Sequence, residues 1–453
     1  MATKAVQPEE KAWRYDVTRP SLPEIYSTLP VPKTSNFLRK MLAFAGPGFL
    51  VAVGYMDPGN WATDLAAGSR YNYALLSVIM MSNLMAILLQ SLCVKLGIVT
   101  GRDLAQACRD HFSRPVSFVL WILCEVAIAA CDLAEVIGSA LALNLLFGIP
   151  MLWGVILTIA DVLLLLLLQQ RGFRYIEALV ISLIALIGVS FGLEILFSKP
   201  SILGIAAGFV PSTEVVRNPE MLYIAIGILG ATVMPHNLYL HSAIVQTRKF
   251  DRTRQGMKEA IRYCKIDSAF ALTIALFVNA AILIVSAATF YRTGNTHVAE
   301  INDAYLLLSP LLGVAGASTI FALALLASGQ NSTLTGTLAG QVVMEGFLNI
   351  RIRPWLRRLI TRLVAVIPAV IVTALYGESG TAKLLVLSQV ILSMQLSFAV
   401  FPLVMFTSDK RKMGEFVNGP ILKTVAYTVA TLIAGLNGWL LVQAFTGGFS
   451  PGH

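Results

Sequence analysis

The sequence predicts an all-α polytopic membrane protein of about eleven transmembrane helices, with two inverted five-helix repeats and one extra helix. Composition is the first observation, because 56% of the residues are hydrophobic, 13% are charged and the mean hydropathy is +0.73, which is more apolar than a soluble core requires. The second is that apolar runs reach about twenty residues or more, the length that a membrane-spanning helix needs, whereas barrel strands alternate over about ten. The third is a pair of proline breaks in the first and sixth runs.

Polar segments separate the apolar runs. Residues 1–40 carry lysine, arginine and proline without an apolar signal region, so they predict a cytoplasmic tail and not a signal peptide. The expected division is 41–198 for the first repeat, 199–220 for an extracellular loop, 221–407 for the second repeat, and 408–453 for a cytoplasmic loop and the eleventh helix. The predicted spans are 41–69, 73–99, 116–148, 150–169, 176–198, 221–247, 267–291, 314–346, 359–376, 383–407 and 421–446, with the first and sixth broken.

The distribution of lysine and arginine predicts the orientation. Over the tail and the loops, twenty-seven lie on the tail side and five on the other side. Because positively charged loops stay in the cytoplasm, the tail is expected inside a cell membrane and the C-terminus outside it. This bias also explains the net charge of +9, so nucleic-acid binding is not expected, and the lipid bilayer and small ions are the expected partners.

The first break, GYMDPGN at residues 54–60, contains an aspartate at mid-membrane depth. A charge there is costly, so Asp57 is a functional candidate by default. Pro58 has no N–H, and its ring clashes with the carbonyl four residues back, which frees the carbonyl oxygen of Gly54 beside this carboxylate. Non-helical backbone at this depth is tolerated only where it lines a cavity or is buried in protein. The pattern indicates a cation site within the membrane.

The sixth span carries a matching break, ATVMPHN at residues 231–237, in which Pro235 frees the carbonyl of Ala231. Both breaks have the form x-Pro-x-Asn. They fall at the same place in two five-span halves, and because five is odd, the second half must have inverted topology. Paired interruptions of this kind are the best sequence indication of a transporter's binding site.

The residues around the two breaks offer a mixed set of metal ligands. Asp57 supplies a carboxylate, Asn60 an amide oxygen and Met234 a thioether, and the carbonyls of Gly54 and Ala231 complete the set. Hard oxygens with one soft sulfur suit Mn²⁺ or Fe²⁺ better than Ca²⁺ or Mg²⁺. The alternative is that the two polar side chains only cap the following half-helix and the methionine only packs.

The third span holds three acidic residues, Glu125, Asp132 and Glu135, within about 100° of one another on a helix. Carboxylates on one intramembrane face indicate a proton relay or a water-lined path. The alternative is that basic partners such as Arg357 or Arg358, at the start of the ninth span, neutralise them structurally.

Two histidines, His236 and His241, follow the sixth-span break. Either could exchange a proton near physiological pH, or could simply form a hydrogen bond between helices. Gln90 on the second span and Gln389 on the tenth could reach a metal or its water, although most membrane glutamines bond across helices. Gln389 is the candidate for a ligand that joins when the site closes.

These motifs resemble those of the Nramp family, the natural resistance-associated macrophage proteins, which are proton-coupled divalent-metal transporters, and specifically its bacterial manganese members. The resemblance covers residues 40–446 and rests on DPGN at 57–60, MPHN at 234–237 and GQNSTLTGTLAGQVVMEGFL at 329–348. It implies a fold of the LeuT type and import of Mn²⁺, and also of Fe²⁺, Cd²⁺ or Co²⁺, by alternating access coupled to protons.

The resemblance also implies roles for individual residues. Asp57, Asn60, Met234 and the carbonyl of Ala231 are expected to bind the metal, and family members that carry magnesium lack this methionine. The last two third-span carboxylates and the ninth-span arginines are expected to carry the proton, with the histidines on the same pathway. The predicted proton pathway comprises Asp57, Asp132, Glu135, Glu125, His236, His241, Arg357 and Arg358.

Other classes fit the sequence less well. A sodium-coupled amino-acid or amine symporter would share the fold, but it must bind a carboxylate and an ammonium, and Met234 would have no evident role. No GxGD or HExxH stretch indicates a protease, no phosphate-binding loop indicates ATP hydrolysis, and five cysteines without a CxxC pair predict no zinc site. We expect no enzyme activity and no cofactor, and the oligomeric state stays open.

Overall fold

The computed structural model describes residues 13–14, 20–158, 160, 172–296, 298, 300–350, 353, 356, 359–360, 363–364, 366–371 and 381–445. Within these residues the chain is helical except for loops, short 3₁₀ turns and one two-stranded parallel sheet, β1 (Leu29–Pro30) with β2 (Arg248–Lys249). The helices before the sixth predicted span are α1 (Phe37–Phe44), α2 (Pro47–Gly54), α3 (Pro58–Tyr71), α4 (Leu76–Thr100), α5 (Leu104–His111), α6 (Arg114–Phe147), α7 (Phe173–Ser198), α8 (Ile202–Gly208) and α9 (Glu214–Arg217). Those that follow are α10 (Pro219–Thr232), α11 (Pro235–Ile244), α12 (Arg254–Thr289), α13 (Ile301–Leu312), α14 (Ala317–Leu348), α15 (Thr381–Thr407), α16 (Lys410–Met413) and α17 (Pro420–Phe445).

The helix lengths agree with a polytopic membrane protein. Among the described residues, seven helical segments are long and apolar enough to cross a bilayer, and an eighth is obtained if the bent pair α1 and α2 counts as one span. The helix α14 has 32 residues but carries the polar stretch from Gly329 to Gln341, and it is not among the seven. Parts of the predicted fourth and ninth spans lie outside the described residues, so the count of eleven is not tested as a whole.

The first and sixth predicted spans are broken where the prolines stand. Helix α2 ends at Gly54 and α3 begins at Pro58, and helix α10 ends at Thr232 and α11 begins at Pro235. Each proline occupies the first position of its helix, where its missing N–H leaves no hydrogen bond unmade and its fixed φ suits the helix. The predicted breaks in these two spans are therefore confirmed.

The four half-helices lie at the centre of the molecule. Helix α12 packs against α2, α3 and α4, while α14 and α15 pack along α6. Gly138 on α6 allows α3 to approach closely, because a Cβ atom there would lie 2.2 Å from the Cβ and Cγ atoms of Pro58. This packing buries both breaks and holds the third-span helix directly beside them.

Some predictions concern residues for which the structure gives no account. Arg357 and Arg358, expected as partners of the third-span carboxylates, lie outside the described residues. The division into two repeats with stated boundaries also stays a prediction.

Candidate metal site

Three oxygen atoms from the two breaks surround one point in the middle of the protein. The amide nitrogen Nδ2 of Asn60 lies 2.6 Å from Asp57 Oδ1, 3.3 Å from the carbonyl oxygen of Gly54 and 3.1 Å from that of Ala231. An amide nitrogen is electropositive, so these oxygens already converge on a group with partial positive charge. A divalent cation would use the same oxygens more strongly.

Local helix chemistry explains why these oxygens face one another. Asp57 is the N-cap of α3, and its Oδ1 accepts a hydrogen bond from the backbone N–H of Asn60 at 2.8 Å, which satisfies one of the free donors at a helix start. Helices α2 and α10 both end at the breaks, so their carbonyl ends place partial negative charge there. The predicted capping role and the predicted ligand role of Asp57 are therefore compatible.

The sulfur of Met234 lies beside the oxygen cluster. Gly54 has no side chain, and a Cβ atom built on it would lie 3.1 Å from Met234 Sδ and 2.2 Å from the amide nitrogen of Asn237. Any larger residue at this position would therefore push the two breaks apart. The missing side chain at Gly54 lets the thioether approach the carbonyls that α2 leaves free.

Gln389 approaches the same carboxylate from α15. Its Nε2 lies 3.5 Å from Asp57 Oδ2, and a Cβ atom on Gly59 would lie 1.7 Å from that nitrogen. Gly59 is thus the residue that lets the tenth predicted span reach the first break. That Gln389 joins the site when it closes stays a prediction.

The whole cluster is closed to solvent. Asp57, Met234 and Ala231 are 0% exposed and Asn60 is 1% exposed. A substrate at this point would be separated from both sides of the membrane, so entry and exit require the surrounding helices to move. The structure therefore shows an occluded arrangement.

A second network lies on the tail side of the cluster. Gln90 Nε2 donates to the hydroxyl of Tyr55 at 3.1 Å, and Gln90 Oε1 lies 2.9 Å from His241 Nδ1. These three buried side chains join the first break, α4 and α11. The structure thus places Gln90 and His241 in a hydrogen-bond network between helices and not among the oxygens around Asn60.

The acidic residues of α6 divide into two environments. Asp132 and Glu135 are buried and face α14 together, because a Cβ atom on Gly336 would lie 3.2 Å from Asp132 Oδ1 and 3.0 Å from Glu135 Oε1. Glu125 is only partly buried and accepts a hydrogen bond from the indole nitrogen of Trp121 at 3.0 Å. The two inner carboxylates are therefore the ones that lie near the centre of the protein.

A thiol lies between this acidic pair and the second break. Cys131 Sγ is 3.6 Å from Glu135 Oε1 and 3.8 Å from His236 Nε2, and Cys131 packs in one apolar cluster with Met234. His236 is buried. A polar path of three side chains thus leads from the second break to the third-span carboxylates.

The sequence interpretation missed Asn279 and Tyr55. Asn279 on α12 donates to Asn60 Oδ1 at 3.4 Å, and it orients the amide at the centre of the cluster. An asparagine within an apolar span is itself a signal, because polar side chains at this depth are expensive. Tyr55 gives no such signal, because a tyrosine in a membrane protein has many ordinary positions.

The paired breaks and the buried polar residues around them agree with the comparison between this chain and known families. The profile described as natural resistance-associated macrophage protein-like (Nramp) matches residues 48–443. The chain belongs to this family. Its membership confirms the resemblance that the motifs indicated.

Nramp relatives match along nearly the whole chain. A protein named divalent metal cation transporter MntH from Nostoc sp. is 67% identical, and the alignment covers 95% of this chain and 97% of the relative. A protein of the same name from Listeria innocua is 63% identical, with 98% and 100% covered. These relatives are transporters, which confirms the expectation that the chain is not an enzyme.

Solved structures confirm the fold class. A manganese transporter from Eremococcus coleocola is 43% identical to this Nramp chain, with a TM-score of 0.89 over 96% of this chain and 93% of that one. The nucleobase-cation-symport-1 family transporter Mhp1 is 16% identical, with a TM-score of 0.57 over 90% of this chain and 94% of that one. The second likeness is one of fold alone.

Proposed function

We propose that this protein imports divalent transition metals, Mn²⁺ foremost and also Fe²⁺, Cd²⁺ and Co²⁺, by alternating access coupled to protons. The observation that carries the proposal is the convergence of oxygens from both breaks, with the sulfur of Met234 beside them, at a fully buried point. The metal is the substrate and not a resident cofactor. Close relatives named divalent metal cation transporters support this substrate class.

Each ligand contributes a different property to the proposed site. Asp57 supplies the negative charge, and the carbonyls of Gly54 and Ala231 supply neutral hard oxygens. The amide of Asn60 presents its oxygen to a cation after a half-turn about its last torsion angle. The sulfur of Met234 favours a borderline or soft metal over an alkaline-earth ion, and Gln389 adds an amide contact from α15 on closure.

The proposed proton pathway begins at the second break. His236, Cys131 and Glu135 follow one another at hydrogen-bond or near-hydrogen-bond distances, and Asp132 faces the same glycine as Glu135. Carboxylates in the interior of a membrane protein are typical of proton relays. We assign the proton to this side and the metal to the point between the two breaks, with Asp57 shared by both.

The sodium-coupled amino-acid or amine symporter is the weaker candidate. An amino acid or amine would need space for its carbon skeleton as well as hydrogen-bond partners for its polar groups. The oxygens of this site, however, all lie within about one hydrogen-bond length of a single atom, the amide nitrogen of Asn60. Such spacing suits an ion and leaves no room for a carbon skeleton.

Transport can be tested in proteoliposomes with a dye for internal metal and a dye for internal pH. Mn²⁺ added outside should enter and acidify the lumen, and an inward proton gradient should accelerate entry. Vesicles that contain the Asp57→Ala variant are the matched control. Uptake equal to that of the control vesicles would contradict the proposal.

We further propose that the tail is cytoplasmic and the C-terminus extracellular, in a cell membrane. The support is the excess of lysine and arginine on the tail side. A cysteine introduced at Gly452 should react with an impermeant thiol reagent from outside the cell, and the five native cysteines should stay silent because all are buried. Reaction only from the cytoplasm would contradict the proposed orientation.

A further inference from the structure

The segment at residues 20–31, called here the tail segment, is docked against the body of the protein. It contains β1 and crosses the side of the molecule on which α2 and α11 enclose the metal site. Its contacts connect parts of the chain that are more than eighty residues away. Nothing in the proposed transport mechanism uses these contacts.

The first half of the tail segment is bound to the end of α14 and to the loop before α5. Ser21 Oγ donates to Asp103 Oδ2 at 2.6 Å, and the backbone N–H of Leu22 donates to Glu345 Oε2 at 3.1 Å. Two residues after Leu22, Glu24 Oε1 accepts a hydrogen bond from Gln341 Nε2 at 3.0 Å. These bonds attach the segment to two different elements on the tail side.

Leu22 makes this attachment specific. Its side chain is 2% exposed and belongs to the main apolar core, although it comes from a segment that the sequence predicts to be a polar tail. Its backbone has a φ of 58°, which is uncommon for a residue with a side chain and costs free energy. The burial of Leu22 and its hydrogen bond to Glu345 offset that cost only while the segment is docked.

The second half of the tail segment is bound to the chain that follows α11. The N–H of Ser27 donates to the carbonyl of Gln246 at 3.0 Å, and the N–H of Val31 donates to that of Lys249 at 3.1 Å. Between them, β1 pairs with β2 in parallel, with Leu29 opposite Arg248. Backbone pairing of this kind holds the segment to the end of α11 without depending on its side chains.

An earlier part of the tail is held on the same side. The indole ring of Trp13 lies between two cations, with Arg102 4.6 Å and Lys412 4.5 Å from its centroid. The N–H of Arg14 donates to the carbonyl of Asp110 at 2.9 Å. Cation–π pairs stabilise such contacts, so the tail is attached at points from α5 to α16.

These attachments connect elements that must separate. The inner half-helices α2 and α11 cover the metal site on the tail side, and α11 packs against α14. Opening the site to this side requires α11 to move relative to α14, as in the rocking motions by which transporters of this fold alternate. A segment bonded to α14 at one end and to the chain after α11 at the other cannot keep both attachments during that motion.

We propose that the tail segment is an autoinhibitory latch, and that Ser21 and Leu22 must leave their partners Asp103 and Glu345 before the site opens to the tail side. The latch stabilises the occluded arrangement and sets the rate of metal release. This inference rests on the proposed function only for the identity of the released ion, because the structural opening can be measured without any metal.

A reversible cross-link tests whether the latch must leave. In the double variant Ser21→Cys with Asp103→Cys, oxidation should join the two positions by a disulfide. The cross-link then holds Leu22 in its buried position, so the tail segment cannot undock. We expect transport of Mn²⁺ to fall by about tenfold or more, a factor that corresponds to the free energy of burying such a side chain. Reduction should restore transport, and each single variant should ignore the oxidant. Full transport by protein that is completely cross-linked would overturn the proposal, and the reduced sample shows independently whether the protein transports metal.

A labelling experiment tests the opening itself. Ala243 on α11 is 6% exposed, so a cysteine in the Ala243→Cys variant of the detergent-purified protein should react slowly with a thiol reagent, and mass spectrometry identifies the labelled residue. Adding Leu22→Ala should raise this rate by about tenfold, and Ser21→Ala by less. Thr28→Ala is the matched control, because Thr28 is exposed and its hydroxyl bonds only Ile25 within the same segment. Equal rates in the Leu22→Ala and Thr28→Ala proteins would overturn the proposal.

Discussion

The two breaks share the same backbone geometry, but their side chains differ in chemistry. Each begins its second half-helix with a proline and leaves a carbonyl oxygen free one turn earlier. At the first break Asp57 caps the next helix with its side chain, whereas at the second Met234 holds the cap position and makes no side-chain capping bond. One break therefore contributes charge, and the other contributes a soft atom.

The difference indicates a division of labour. A carboxylate attracts every divalent cation, so we expect the first break to supply affinity but little discrimination. A thioether attracts transition metals far better than alkaline-earth ions, so we expect the second break to supply discrimination. The third-span carboxylates and His236 also lie near the second break, so we expect most of the proposed proton pathway on that side, with Asp57 as the residue that it shares with the metal. Four predictions test this comparison.

The largest effect is expected at the first break. Asp57→Ala should abolish Mn²⁺ uptake and weaken Mn²⁺ binding by more than about 100-fold, since even supporting residues of metal sites are worth 10–100-fold. Asp57→Asn is the informative control, because asparagine caps helices as well as aspartate does and removes only the charge. Isothermal calorimetry and vesicle uptake measure the result. Normal uptake in the Asn variant would mean that the residue acts as a cap alone.

The next effect concerns protons. Glu135→Gln and Asp132→Asn should reduce metal-driven acidification of vesicles by about tenfold or more, the lower range of general acid–base effects, while calorimetric Mn²⁺ binding changes little. The reason is that these side chains face α14 at Gly336 and not the oxygens around Asn60. Proton flux that stays unchanged in both variants would favour a structural role for the pair.

Selectivity should change at the second break with a smaller loss of transport. In Met234→Ala, Mn²⁺ uptake should persist with an affinity about tenfold lower, Cd²⁺ should lose more, and millimolar Ca²⁺ or Mg²⁺ should begin to compete, because selectivity is a difference of affinities. Met234→Leu nearly keeps the side-chain volume and removes the sulfur, so Ca²⁺ and Mg²⁺ should compete with Mn²⁺ in this variant as they do in Met234→Ala. If neither alkaline-earth ion competed better in either variant, Met234 would be a packing residue.

The smallest effect compares the prolines themselves. Pro235→Ala restores an N–H that can bond to the carbonyl of Ala231, and no side-chain cap opposes this, so Mn²⁺ affinity should fall by about two- to tenfold, the value of one hydrogen bond. Pro58→Ala should change affinity less, because the side chain of Asp57 still holds the start of α3 through the N–H of Asn60. Equal losses of Mn²⁺ affinity in the two variants would contradict the inference that the capping side chain of Asp57 makes the two breaks different.

The sequence by itself determined the features that depend on short stretches of chain. The span lengths follow from the thickness of a bilayer, and the breaks follow from the geometry of Pro58 and Pro235, which acts over four residues. Two breaks at matched positions predict that Asp57, Asn60 and Met234 lie together. In the structure the amide nitrogen of Asn60 lies within hydrogen-bond distance of Asp57 and of the carbonyl of Ala231.

Only the tertiary structure decided which distant side chains meet. Gln90 bonds to His241, 151 positions away, and Leu22 bonds to Glu345, 323 positions away; neither pairing leaves a local pattern. A leucine in a polar tail and a glutamine in an apolar span each have many possible partners, and the choice depends on how helices pack. Periodicity and proline chemistry act within one or two turns, whereas these contacts depend on the free energy of the whole packed arrangement.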